Sequence, residues 1–251
     1  MLLLIIFAVG LAAGFVDAIA GGGGLIMLPG LLFSGLPVSG AIATNKLCGT
    51  FGALTSSLKF AHAKQVDWRA CTVTGLPAIG GAALGSRSIG LLPTAWAELL
   101  VIALMGAITL FVLIKPNFGL QLEPRSNKPL RLSYKRLAGS VLIGTIIGFH
   151  DGFFGPGTGV FLVFALLSLW QLDFLRGTGT TKVINLLTNL TALVTFALSG
   201  NIDYGKGLCG ALGVGIGSYL GAAFATKGGT RIIKPIFVVV TIALIIKLLV
   251  G

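Results

Sequence analysis

The sequence predicts an all-α, polytopic membrane protein built from two related helical units. Three observations lead to this fold class: an apolar composition, a series of apolar segments of helical length, and an internal repeat. Of the 251 residues, 55% are hydrophobic and 10% are charged, whereas soluble chains carry about 25% charged residues. So few charges cannot cover a water-facing surface, and we therefore expect a lipid bilayer around the protein.

The net charge of +11 predicts membrane orientation rather than nucleic-acid binding. Basic residues cluster in a few loops between apolar segments, as they do in the cytoplasmic loops of membrane proteins. A nucleic-acid-binding protein would need a basic face on a soluble domain. The three cysteines lie in or beside apolar segments without metal-ligand spacing, so we interpret them as small buried residues.

An internal repeat divides the chain. GFVDAIAGGGG begins at Gly14 and GFHDGFFGPGTG begins at Gly148, an offset of 134 residues (148 − 14). After one two-residue insertion, further matches follow at an offset of 136 (182 − 46), among them Thr44/Thr180, Lys46/Lys182, Asp67/Asp203, Gly81/Gly217 and Gly85/Gly221. The predicted organisation is a first repeat over 1–114, a basic cytoplasmic linker over 115–136 and a second repeat over 137–251, within one membrane domain.

Each repeat contains five apolar segments. They cover approximately 2–17, 25–34, 40–61, 70–89 and 95–114 in the first repeat, and 137–149, 158–170, 178–199, 205–225 and 232–250 in the second. The first two segments of each repeat are too short to span a bilayer comfortably, and a glycine-rich break separates them. This pattern predicts a broken or re-entrant start to each repeat: a helical hairpin, or a broken helix, whose tip lies within the membrane.

Loop charges predict that the two repeats have opposite orientations. The loop after the third segment has two basic residues in the first repeat, but one, offset by an aspartate, in the second. The bias reverses after the fourth segment. After the third segment, the charged residues are Lys64 and Arg69 in the first repeat and Lys206 and Asp203 in the second. After the fourth segment, they are Arg87 in the first repeat and Lys227, Arg231 and Lys234 in the second. Five membrane passages per repeat, an odd number, would produce this inversion. We therefore predict an inverted-topology repeat with both termini outside, which is typical of secondary transporters.

Two aspartates beside the glycine breaks are the first candidate functional residues. Asp17 and Asp151 each end an apolar segment. Ionisable groups inside a bilayer are costly, so they are usually paired or functional. Two interpretations stay open: each aspartate caps the following helix or pairs with a nearby lysine, or it takes part directly in ion or proton coupling.

The glycine breaks themselves predict anion binding. GGGG at 21–24 and GPGTG at 155–159 each precede an apolar segment. A helix that begins there exposes free N–H groups and the positive end of its dipole, which favour anions. Tight helix packing is the alternative explanation of these glycines.

Two matched lysines, Lys46 and Lys182, suit recognition of a negatively charged substrate. A lone lysine would more simply extend to the membrane interface, but the match between repeats favours a function. Small and polar residues follow one face of each third segment and can line a pathway or pack helices. They are Asn45, Gly49, Gly52 and Ser56 in the first repeat, and Thr181, Asn185, Thr188 and Asn189 in the second.

These motifs resemble those of the sulfite exporter TauE/SafE family. The matching stretches are GFVDAIAGGGGLIMLP at 14–29, ATNKL at 43–47, GFHDGFFGPGTG at 148–159 and TGTTKVINLLTN at 178–189. The resemblance covers essentially the whole chain, including the duplication. It implies a multi-pass transporter of the bacterial inner membrane for sulfite, sulfonates or related organic anions. The residues alone favour an anion, and only the resemblance adds sulfur.

From these observations we predict a secondary transporter, or permease, that moves a small anion by alternating access without ATP, a cofactor, a metal or enzymatic activity. An anion channel and a non-transporting membrane assembly partner are the alternatives. The expected partners are the anion and the lipid bilayer, with no nucleic acid; a homodimer, the direction of transport and the coupling ion stay open. The predicted substrate-binding residues are Gly21, Gly22, Gly23, Gly24, Asn45, Lys46, Gly155, Gly157, Thr158, Thr181, Lys182 and Asn185, and Asp17 and Asp151 are expected to provide coupling or structural support.

Overall fold

The computed structural model describes the backbone of residues 1–89 and 133–250 and the side chains of 1–89 and 133–228. These residues form eight α-helices and no β-strand, which confirms the all-α prediction for this part of the chain. The helices are α1 (Leu2–Ala20), α2 (Gly23–Phe33), α3 (Val38–His62), α4 (Trp68–Ile89), α5 (Tyr134–Phe153), α6 (Thr158–Trp170), α7 (Phe174–Leu198) and α8 (Tyr204–Val250). The predicted segment 95–114 and the linker up to residue 132 lie outside the described residues.

Several helices have the length and composition of membrane spans. Among the described residues, three are long and apolar enough to cross a bilayer: Leu2–Ala20, Phe174–Leu198 and Tyr204–Gly228. Large apolar side chains, including those of Leu142 and Leu212, are exposed on the outside of the bundle, as expected for a lipid-facing surface. Helices α2 and α6, with 11 and 13 residues, are too short to span a bilayer.

Each repeat begins with a helical hairpin rather than a broken straight helix. Helix α2 runs back along α1, so that Gly30 lies against the side chain of Val9. Helix α6 runs back along α5, and Trp170 Nε1 at its end donates a hydrogen bond to Ser140 Oγ at 3.0 Å. At the tips, Gly21 with φ 72° and Gly157 with φ 85° adopt a left-handed conformation that is costly for other residues.

The first arm of each hairpin is longer than predicted, which corrects the expectation that both first segments are short. Helices α1 and α5 have 19 and 20 residues and continue past Asp17 and Asp151. The hydropathy pattern placed helix ends near these carboxylates. Each carboxylate is paired with a lysine of the other repeat, so its charge is compensated inside the bundle.

Helix α8 also differs from the prediction. The break expected between residues 225 and 232 is absent, and α8 continues as one helix to Val250. The prediction relied on the basic residues of this stretch, Lys227, Arg231 and Lys234, between which Gly228 and Gly229 also lie. A glycine costs only about 1 kcal/mol inside a helix, so two glycines do not have to end it.

The two repeats interlock through equivalent contacts. The first helix of each repeat packs against the fourth helix of the other, as the pairs α1–α8 and α5–α4, while α3 and α7 pack against each other. Glycines permit the closest approach: a methyl group at Gly14 would overlap the carbonyl oxygen of Val214, and one at Gly148 would overlap that of Ala78. Small residues allow helices to approach in this way in membranes. The hairpin tips are thereby brought to the middle of the bundle.

Candidate functional site

The two hairpin tips meet each other directly. A β-carbon built on Gly21 would lie 2.6 Å from the carbonyl carbon of Gly159, and one built on Gly159 would lie 2.6 Å from Gly21 Cα. Beside this contact, Gly24 lies against Pro156. Only glycine allows backbones from the two repeats to come this close. The glycine breaks thus have the packing function named as their alternative, and they also create one shared location between the repeats.

Two ion pairs, one buried and one partly buried, cross between the repeats at this location. Lys46 Nζ donates to Asp151 Oδ1 at 2.8 Å, and Lys182 Nζ donates to Asp17 Oδ2 at 2.8 Å. Each lysine belongs to the third helix of one repeat, and each aspartate belongs to the hairpin of the other. Both lysine side chains are 1% exposed. A buried lysine requires such a partner, because an unpaired charge is very costly away from water.

The matched aspartates differ in their surroundings. Asp17 uses both oxygens, because Oδ1 also accepts a hydrogen bond from the backbone N–H of Gly23 at 3.1 Å and so caps the start of α2. Asp151 uses only Oδ1, and its buried Oδ2 has no hydrogen-bond partner among the described residues. Its side chain is 3% exposed, against 23% for Asp17. Both aspartates therefore make the lysine pair of the structural interpretation, Asp17 alone also makes the contact with the start of the following helix, and Asp151 has one oxygen unused.

A cavity lies beside the ion pairs. Its volume is about 50 Å³, which suits a few water molecules or one small anion. Its walls come from α1, α2, α3, the α5–α6 tip, α7 and α8. The lining residues are Ala13, Asp17, Gly21, Gly23, Gly24, Met27, Asn45, Lys46, Cys48, Gly49, Ala53, Asp151, Gly155, Gly157, Thr158, Gly159, Asn185, Asn189 and Val214.

Most of the substrate-binding residues predicted from the sequence border this cavity, but three do not: Gly22, Thr181 and Lys182. Lys182 is fully buried and its ammonium group binds Asp17. The Thr181 hydroxyl is also buried, without a hydrogen-bond partner in the described part of the chain. Of the two matched lysines, the cavity is therefore bordered by Lys46 alone.

The polar stripe of α3 serves two purposes along its length. Asn45 and Gly49 border the cavity. One turn further, Gly52 packs against Val214 and Ser218 of α8, and Ser56 donates a hydrogen bond to the carbonyl oxygen of Gly52 at 2.7 Å. On α7, Asn185 and Asn189 border the cavity, while the hydroxyl of Thr188 donates to backbone carbonyls of its own helix.

A second set of crossed contacts was missed by the sequence reasoning. The backbone N–H of Asp67 donates to Thr180 Oγ1 at 2.9 Å, and that of Asp203 donates to Thr44 Oγ1 at 3.1 Å. The repeat had matched the two threonines and the two aspartates as equivalents. It gave no sign that the aspartate of each repeat contacts the threonine of the other.

The cavity wall offers both hydrogen-bond donors and acceptors. Lys46, Asn45, Asn185 and Asn189 supply charged or amide N–H groups, and Asp17 and Asp151 supply carboxylate oxygens. The hydroxyl of Thr158, at the start of α6, already donates to Gly155 O at 2.7 Å. Among the described residues, no cluster of three or more His, Cys, Asp or Glu side chains could hold a metal ion. The wall therefore suits a small polar solute.

Comparisons with known proteins agree with this description. The family model of the sulfite exporter TauE/SafE matches residues 6–248. The chain is 36% identical to a Haemophilus influenzae protein named "Probable membrane transporter protein", over 98% of this chain and 94% of the relative. It is 34% identical to "Probable membrane transporter protein ORF9" of a Sinorhizobium species, over 99% and 92%.

A third relative, "Probable membrane transporter protein YfcA" of Escherichia coli, is 29% identical over 99% of this chain and 90% of its own length. No solved structure matches the chain. All three relatives are named as probable membrane transporters. Because the family model covers nearly the entire sequence, the chain belongs to the sulfite exporter TauE/SafE family of membrane transporters.

Proposed function

We propose that the protein is a secondary transporter of small anions, with sulfite, sulfonates or related organic anions as its substrates, and that it works by alternating access. The observation that carries the proposal is the pair of crossed ion pairs where the two hairpin tips meet. These place an ionisable residue from each helical repeat beside a small cavity with several N–H donors. A site of this kind, built where two repeats meet, is typical of secondary transporters.

The proposed substrate site lies between the hairpin tips. The anion would contact Lys46, Asn45 and Asn185, with further donors from the backbone at the start of α6. Positive charge and helix N-termini stabilise anions through the same electrostatic attraction. The name of the family supports sulfite as the first substrate to test, because a sulfur oxyanion fits both the charge and the small cavity.

The proposed topology has two inverted repeats, 1–114 and 137–251, joined by a cytoplasmic linker in the bacterial inner membrane. A hairpin returns the chain to the side on which it began, so each repeat would cross the bilayer three times, still an odd number. The matched helix contacts α1–α8 and α5–α4 support this pseudo-symmetry, and the bacterial relatives support the location. The proposal requires the chain to turn near Gly228, where α8 continues in the structure.

Alternating access is supported by the unequal exposure of the matched aspartates. Asp17 is 23% exposed, and Asp151 is 3% exposed. In an inverted-repeat protein, each repeat can adopt the conformation that the other repeat has now. Asp17 would then become buried and Asp151 exposed, so the cavity would close on the side of Asp17 and open on the side of Asp151. The same residues would then face the other side of the membrane.

The test is flux in proteoliposomes that contain the purified protein. The substrates are sulfite, sulfoacetate, sulfate and a dicarboxylate, each with and without a pH gradient. We expect saturable uptake of sulfite or the sulfonate, and a roughly ten- to hundred-fold loss in Lys46→Gln, because a hydrogen bond to a charged group contributes about 1.5–3 kcal/mol. The exposed Lys64, changed to Gln, is the matched control and should transport normally.

Three results would oppose the proposal in different ways. Normal transport by folded Lys46→Gln would exclude charge recognition by this lysine. A large, non-saturating conductance would indicate an anion channel with the same site. The absence of flux for every anion would favour a membrane assembly partner that does not transport.

A further inference from the structure

We propose that Asp151 is the proton-binding residue of the transport cycle, and that its protonation releases Lys46 to bind the substrate anion. This inference rests on the proposed anion transport and identifies the coupling ion as a proton. It assigns different functions to two aspartates that the sequence repeat presents as equivalent.

The inference begins with the free oxygen of Asp151. Both oxygens of Asp17 have partners, Lys182 Nζ and the N–H of Gly23, so a proton on Asp17 would displace one of these contacts. Asp151 Oδ2 is buried and has no partner in the described part of the chain, and the residue borders the cavity. A proton can therefore be added at Oδ2 without breaking an existing hydrogen bond.

An acceptor for the added proton is available in the same cavity. Asn185 Oδ1 is also buried without a partner among the described residues, and Asn185 lines the cavity together with Asp151. A carboxylic O–H is a donor, whereas a carboxylate accepts only. Protonation of Asp151 would thus supply a donor to a cavity whose wall also contains an unsatisfied acceptor.

The charge balance shows why the anion needs this proton. With both ion pairs formed, each lysine is neutralised by an aspartate. Among the described residues, two carboxylates and one ammonium group border the cavity. The carboxylates would therefore repel an anionic substrate. When Asp151 is neutral, Lys46 carries an uncompensated charge at the cavity wall and can exchange its carboxylate partner for the substrate.

Among the side chains that the structure describes, no other charged group around Asp151 would change this balance. Helices α2 and α6 have no titratable side chain. Of the two charged residues of α7, Lys182 is bound to Asp17 of α1 and Arg176 is exposed. On α4, Arg69 and Arg87 are exposed. On α5 itself, His150 Nδ1 lies 3.2 Å from Thr158 Oγ1, and its ring packs against Phe154 and Phe161.

The resulting step is a balanced exchange. The carboxylate of Asp151 gains one proton, and Lys46 Nζ donates its hydrogen bond to the anion instead of to Asp151 Oδ1. No covalent bond of the substrate changes. One proton and one monoanion then cross together, so the net charge moved is zero. After the anion and the proton leave on the other side, the Lys46–Asp151 pair forms again.

The transport test compares Asp151→Asn with Asp17→Asn, using radiolabelled sulfite. Asparagine at 151 mimics the neutral acid, so we expect sulfite exchange between the two sides to persist while accumulation driven by a proton gradient is lost. In the wild type, one pH unit should raise accumulation up to about tenfold, because one unit equals a tenfold proton ratio. Asp17→Asn retains the proton site and should retain this pH dependence.

A second measurement does not depend on transport. During an acid titration of the purified protein, difference infrared spectra should show the C=O stretch of a protonated carboxyl that disappears in Asp151→Asn and persists in Asp17→Asn. Addition of sulfite in weak buffer should cause uptake of one proton per bound anion in the wild type and none in Asp151→Asn.

The outcomes are distinct. Gradient-driven accumulation by Asp151→Asn at the wild-type level, or an infrared band that Asp17→Asn removes instead, would overturn the proton assignment. A wild type that moves none of the anions tested would contradict the proposed function. The infrared titration would then still decide whether Asp151 takes up the proton.

Discussion

Lys46 Nζ lies 2.8 Å from Asp151 Oδ1, although the two residues are 105 positions apart and belong to different repeats. The equivalent pair, Lys182 and Asp17, has the same distance. Charge-assisted hydrogen bonds of this length are among the stronger polar contacts in proteins. The two pairs therefore join the repeats at the point where substrate binding is proposed.

Removal of one partner of the buried pair should be more harmful than removal of both. We expect Lys46→Met to lower the free energy of unfolding by about 3–5 kcal/mol, because it leaves the buried Asp151 without its ion pair. The double variant Lys46→Met/Asp151→Leu should regain most of this loss. Unfolding of the purified proteins in detergent measures both values, and equal stability of the single and double variants would contradict the explanation.

Asp17 should show its capping function separately from its ion pair. Both Asp17→Ala and Asp17→Asn lose the ion pair with Lys182, but asparagine keeps an oxygen that can accept from the N–H of Gly23. Loss of a helix cap costs about 0.5–2 kcal/mol, and we expect the alanine variant to be less stable than the asparagine variant by this amount. Unfolding curves and hydrogen exchange at the start of α2 provide the measurement. Indistinguishable variants would show that the cap contributes little.

Two adjacent glycines of α4 provide a matched test of the packing between repeats. A methyl group at Gly81 would overlap the carbonyl oxygen of Thr145 on α5, whereas one at the exposed Gly80 meets no atom within 4 Å. We expect Gly81→Ala to destabilise the protein by about 1–3 kcal/mol through overpacking. Gly80→Ala should be neutral or stabilise it by about 0.5–1 kcal/mol, because alanine favours a helix. Thermal unfolding in detergent would reveal the difference, and a reversed order would argue against the close α4–α5 contact.

The two threonines that cross between repeats should contribute modestly and independently. Thr180→Val removes the acceptor of the Asp67 N–H, and Thr44→Val removes that of the Asp203 N–H. The two N–H groups are partly buried, so each loss should cost about 0.5–1.5 kcal/mol, the net contribution of a typical hydrogen bond. The corresponding serine variants keep the hydroxyl and serve as controls. If valine and serine variants have the same stability in unfolding measurements, these hydrogen bonds do not hold the repeats together.

The orientation of the C-terminus tests the inverted topology. We expect a reporter fused after Gly251 to be outside, because three crossings per repeat return the chain to the side of its N-terminus. A reporter within the 115–136 linker should be cytoplasmic and is the internal control. A cytoplasmic C-terminus would agree with the uninterrupted α8 and would contradict the inverted repeat.

The sequence by itself determined the helical class, the positions of the hairpin tips and the matched residues of the two repeats. These features are readable because hydropathy, glycine breaks and residue identity are local properties of the chain. Asp17 and Asp151, and Lys46 and Lys182, were identified as pairs of equivalents in this way. The helix ends beside the two aspartates were placed too early, because hydropathy treats a carboxylate as a boundary whether or not it has a partner.

Only the tertiary structure decided which residues face one another. Each aspartate pairs with the lysine of the other repeat, and such a pairing depends on how helices far apart in sequence pack together. It also decided that Lys46 borders the cavity while Lys182 does not, and that Asp17 has two partners where Asp151 has one. Two residues with the same sequence context thus acquire different chemistry, because burial and hydrogen bonding are set by contacts across the fold.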